Sequence, residues 1–99
     1  MKYYLRIIDT KPRFIEAKKY TPVIEGLAIV KNEFARLYPY SIIDVATGLT
    51  AKRFALLKNA RQYFYENLEE LLPRVENVRS CKFYKEREED LLVWRKNHE

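Results

Sequence analysis

The hydrophobic pattern changes period near Phe54, and that change limits what this 99-residue chain can fold into. Before Phe54 the apolar residues come in short runs or alternate, the period of two that belongs to strands. Beyond it Leu57, Ala60, Phe64, Leu68 and Leu71 recur at spacings of three and four, the stripe of a helix facing a core. The expected class is therefore α+β. It comprises an antiparallel sheet of three to four strands, a long helix over 55–72 packed on one face, and a second helix near the C-terminus.

Within the first part, residues 2–8 read as a strand, rich in aromatic and β-branched side chains. Residues 13–20 are a weaker candidate, since neither alternating face is clean, and fit an edge strand or a loop. Residues 23–31 admit two readings. Thr21 and Pro22 suit a helix start, and Val23, Leu27, Val30, Phe34 and Leu37 would then share one stripe. Val23, Ile24, Ile29 and Val30 suit a strand, and a strand over 26–31 is favoured. Residues 41–45 form a short strand, Ala46, Thr47 and Gly48 supply turn chemistry, and 49–54 alternate again. That is a hairpin, with Lys52 and Arg53 near its end. Pro73 is expected to stop the long helix. A last helix over 84–97 has acidic residues in its first turns and Arg95, Lys96 and His98 at its end, the order that suits a helix dipole.

Pro12, Pro22, Pro39 and Pro73 mark element boundaries, and no low-complexity tract or repeat divides the chain, so one domain over 1–99 is expected. The apolar fraction of 47% is enough for a core and argues against disorder. Cys81 is the only cysteine, so no internal disulfide can form and no cysteine-based metal site can close. A lone thiol and the absence of a signal or a long apolar window point to the cytoplasm and away from a membrane.

Several chemistries lack their residues. His98 is the only histidine and sits at a terminus, a poor place for a fixed general base. Gly26 and Gly48 are the only glycines, too few for a phosphate-cradling loop. Asp44, Thr47 and Gly48 hint at an aspartic-protease loop, but Val45 and Ala46 intervene. Asp9, Asp44 and Glu25 could pair for acid–base work, yet no spacing favours it. No cofactor is implied, and the expectation is a protein that is not an enzyme.

What remains is binding. Residues 1–62 hold twelve Lys or Arg against five Asp or Glu, whereas 63–99 hold seven against nine. Lys52, Arg53, Lys58 and Arg61 fall within ten residues, near Tyr40, Tyr63 and Tyr65. Cations neutralise phosphates and tyrosines stack on bases, so nucleic acid is the leading ligand. The plain counter-reading is that Lys58 and Gln62 merely solvate one side of a helix.

Residues 40–68 also resemble the strand–turn–strand–helix end of integrase arm-binding and plant AP2-type domains. The likeness lies in Tyr40, Ile42, Thr47-Gly48, Phe54 and the Leu57–Ala60 helix start. It spans less than a third of the chain and departs at Ala55, where that pattern carries a capping Ser or Thr. A helix-turn-helix reading of 44–50 fails because Ala46 and Gly48 are only two positions apart.

The rival to nucleic acid is a protein partner, a small inhibitor or assembly factor, contacted through Tyr65 and Trp94. Trp is enriched among interface anchors, although Trp94 can equally pack on the sheet. A homodimer is expected over a monomer, since the terminal helix lacks much sheet to cover its apolar stripe.

Overall fold

A computed structural model describes residues 1–7 and 11–99. These form five strands, β1 (Tyr3–Ile7), β2 (Arg13–Lys19), β3 (Leu27–Lys31), β4 (Tyr40–Asp44) and β5 (Thr50–Phe54). Three helices follow, α1 (Leu57–Glu66), α2 (Leu68–Arg79) and α3 (Tyr84–His98). The strands make one antiparallel sheet in chain order, so β1 and β5 are its edges.

The α+β class is as expected, but the sheet has five strands rather than three to four. The weak pattern at 13–19 is a full strand, and an interior one. It gives five pairs to β1 and two to β3. Its blurred alternation has a cause. Phe14 and Ala17 are both buried, although they lie on opposite faces.

β3 resolves the double reading of 23–31 in favour of a strand. Thr21 does not cap a helix. Its buried hydroxyl accepts a bond from the Ile29 amide at 3.0 Å and prolongs the edge of β3, beside Tyr20 N to Ile29 O at 2.8 Å. Phe34 and Leu37, the end of the alternative helical stripe, lie exposed in the β3–β4 loop.

The sheet curls, and both of its faces are covered. Ile42 and Ile43 are successive residues and both are fully buried. Ile42 joins Leu27 and Ile29 beneath Ala60 and Phe64 of α1 and Leu68, Leu71 and Val75 of α2. Ile43 joins Leu5, Ala17 and Val30, a cluster to which no helix contributes. That inner face is buried by the sheet folding over itself. Tyr4 and Phe14 pack outward against Leu91, with Trp94 alongside, which seats α3 on β1 and β2.

Two local features set the curl. Ile42 opposes Lys52 while Ile43 opposes Thr50, leaving Ala51 as the extra residue of a bulge, and bulges sharpen twist. At the β4–β5 turn Gly48 has φ +75°, and its carbonyl accepts a bond from the Arg6 amide at 2.8 Å. A Cβ there would meet Tyr4 O at 2.9 Å and Arg6 N at 3.0 Å. Only glycine lets β1 close against this turn.

The long helix differs from expectation at its end. It breaks at Asn67 (φ −127°, ψ 14°), and α2 then runs through Pro73 to Arg79. The buried stripe of Ala60, Phe64, Leu68, Leu71 and Val75 keeps its phase across the break. Restarting at Leu68 places Pro73 in the second turn of α2. There its missing N–H removes one ladder bond, to Glu69 O, while Leu71 and Val75 stay buried. α1 itself starts at Leu57 after an extended Leu56, with no side-chain cap, as Ala55 foreshadows.

Candidate anion-binding seam

Curling brings the sheet's two edges toward each other, and the seam between them is strongly basic. A cleft of about 640 Å³ is lined by Leu49, Thr50 and Ala51 together with Arg6, Lys52, Arg53, Arg74 and Arg87. Five of the eight lining residues are cationic, and among the described residues none is acidic. The cations come from four elements: β1, β5, α2 and α3.

Each side chain reaches the cleft for a local reason. Side chains alternate along β5, so Lys52 points with Ile42 toward the helices and Arg53 points with Ser41 toward the inner face. Both still border the cleft because β5 is an edge with nothing paired beyond it. The Lys52 ammonium lies 5.0 Å from the Tyr63 ring centre and 5.6 Å from that of Phe54, two rings themselves in contact at 5.5 Å. Those faces hold the cation without neutralising it. Arg74 donates from Nη2 to the carbonyl of the bulged Ala51 at 2.6 Å, again a neutral partner. Arg6 Nη1 donates to Asp90 Oδ2 at 2.9 Å, and Arg87 Nη1 lies 3.8 Å from the same oxygen. Two guanidiniums share one carboxylate, so that corner keeps a positive charge. Among the described residues Lys52, Arg53 and Arg74 are in no ion pair.

A second groove, of about 530 Å³, continues from the first and shares Arg6, Thr50 and Arg53 with it. It runs toward the β3–β4 loop, where Arg36, Leu37 and Tyr38 line it.

Of the basic residues singled out from sequence, Lys52 and Arg53 thus lie together in the cleft. Lys58 and Arg61 do not line it. Both are exposed on α1, and Arg61 donates to the Tyr20 carbonyl at 3.2 Å. Arg6, Arg74 and Arg87 were missed because they are far apart in sequence and no local pattern links them. Of the two residues expected from sequence to meet a protein partner, Tyr65 is exposed with its ring edge-on to Phe64, and Trp94 is half-buried. The Trp94 ring lies 5.5 Å from Phe14 and is stacked at 3.8 Å on His98.

Of the carboxylates considered for catalysis, Asp44 has structural partners on both of its oxygens. Asp44 is buried. Its Oδ2 accepts from Tyr84 Oη at 2.5 Å and from Thr47 Oγ1 at 2.7 Å, and its Oδ1 accepts from Arg79 Nη2 at 2.8 Å. Burial, and donation to this carboxylate, push the Tyr84 phenol well above its ordinary range. Burial would lower the Arg79 pKa, but the bond and attraction to Asp44 outweigh it and raise it. Arg79 also donates to the Glu25 carbonyl at 2.8 Å, so it ties α2 to the turn before β3. Asp9 lies outside the described residues. Cys81 is exposed, and no group of three or more potential metal ligands occurs among the described residues. No helix there is long and apolar enough to cross a membrane.

Fold and seam together define a small α+β protein with a curled five-stranded antiparallel meander and a basic groove at its open edge. No protein-family model matches this chain, and comparison with curated proteins and with solved structures finds no match either.

Proposed function

We propose that this is a non-catalytic binding protein whose ligand is nucleic acid, held through its phosphates at the β1–β5 seam. The observation that carries the reading is the cleft with five cationic side chains and no acidic one among the described residues. Concave walls concentrate a positive field, and cations held by neutral partners or sharing one carboxylate remain free to meet phosphate oxygens.

The test is a salt series of binding to single-stranded and duplex DNA. Phosphate-driven binding weakens by roughly one logarithmic unit per tenfold salt for each phosphate neutralised. The Lys52→Ala/Arg53→Ala pair is expected to weaken binding and flatten that slope by about two. Lys58→Ala/Arg61→Ala, outside the cleft, separates a seam-centred contact from one spread onto α1. Absence of binding to either nucleic acid at low salt would refute the reading. It would leave the rival, a protein partner met through Tyr65 and Trp94, whose salt response should be far shallower.

A further inference from the structure

We infer that the seam takes a single strand rather than a duplex, with unpaired bases resting on the aromatic side chains of the β3–β4 loop. This rests on the nucleic-acid reading above and narrows it.

The loop over 32–39 is unusual in what it shows to solvent. Phe34 is 78% exposed, Leu37 76% and Tyr38 56%. These are three large apolar side chains within five residues, and none joins a core cluster. Isolated exposed apolar residues need no explanation, but a concentrated group beside a groove does. The loop is also built rather than slack. Asn32 N donates to Pro39 O at 2.7 Å and closes its base. The Asn32 side chain accepts from the Phe34 amide at 3.0 Å, and its carbonyl accepts from Ala35 N at 3.2 Å. The turn therefore presents Phe34 and Tyr38 from a defined backbone.

Charge complementarity names the occupant. Tyr38 and Leu37 line the groove that shares Arg6 and Arg53 with the basic cleft, and Arg36 stands between the exposed apolar residues. A polyanion that also offers flat apolar faces satisfies both halves of this surface. A single strand is such a molecule, with phosphates along the arginines and bases free to stack. A duplex buries its base faces in its own stack, so it would meet the cations and leave Phe34 and Tyr38 in water.

The experiment compares fluorescence anisotropy of a labelled oligothymidine of about 16 nucleotides with that of a duplex of equal length. The proteins are wild type, Phe34→Ala/Tyr38→Ala and Arg36→Ala/Arg53→Ala. All four positions are exposed, and circular dichroism checks that the fold is kept. The oligothymidine should bind at least tenfold tighter than the duplex at moderate salt. The aromatic pair should lose about tenfold or more on the single strand with an unchanged salt slope, and little on the duplex. The arginine pair should flatten the slope on both probes. Equal or tighter duplex binding overturns the inference and leaves the nucleic-acid reading standing, as does a Phe34→Ala/Tyr38→Ala variant with undiminished single-strand affinity. Failure of wild type to bind either probe at low salt overturns both.

Discussion

Asp44 shows how one side chain is given a role by its surroundings. Its position beside a Thr-Gly turn invites a catalytic reading, yet Tyr84, Thr47 and Arg79 occupy its two oxygens. It joins the β4–β5 turn, α2 and the start of α3, and no buried side-chain nitrogen or oxygen among the described residues lacks a partner. This arrangement has a consequence at high pH. The folded state keeps the Tyr84 proton past the point where an unfolded tyrosine, near 10.0, releases it. In that window the folded state binds more protons than the unfolded one. The Tyr84 contribution to stability is therefore complete below the unfolded value and is lost as pH rises above it. Denaturant midpoints should fall as pH rises beyond about 10, and Tyr84→Phe should flatten part of that fall. Tyr4 and Tyr63, also raised by burial, account for a remainder. A fall identical in wild type and Tyr84→Phe would contradict this assignment.

At the scale of elements, apolar periodicity read well wherever a segment has one covered face. The stripe from Ala60 to Leu71 and the hairpin around Gly48 both follow from local pattern. It blurred in β2, where the curled sheet buries side chains of both parities. It also misplaced the end of the long helix, because Pro73 is tolerated once α2 restarts after Asn67. That tolerance should be visible energetically. Pro73→Ala restores a ladder bond and removes the ring's clash with the preceding turn, while freeing the unfolded chain somewhat. We expect a net gain of about 2 kcal/mol in unfolding free energy, measured by urea denaturation. An unchanged or lowered stability would mean that α2 depends on the proline's fixed backbone.

At the scale of the whole molecule, the outer face of α3 bears on assembly. α3 turns Leu91 and Trp94 toward the sheet and leaves Leu92 and Val93 exposed, with Leu92 bordering a groove that Met1 and Val23 also line. A twofold dimer through this face is the arrangement we expect, and it lies on a different groove from the basic seam. Sedimentation equilibrium should then show a species of twice 12.0 kDa, returned to 12.0 kDa by Leu92→Glu. A 12.0 kDa monomer at high concentration would rule the dimer out.

Amino-acid order alone determined the α+β class, the apolar stripe of α1, the hairpin with Lys52 and Arg53 at its end, and the terminal helix. Each depends on neighbours no more than a few residues apart, through side-chain alternation, helical spacing or glycine's freedom at a turn. The joining of Arg6, Arg74 and Arg87 to that hairpin was decided only by the tertiary structure. Sheet curl arises from a bulge at Ala51 and from the close approach of β1 to Gly48. Such closure is a property of five strands together, so the chain carries no local mark of which distant cations it will gather.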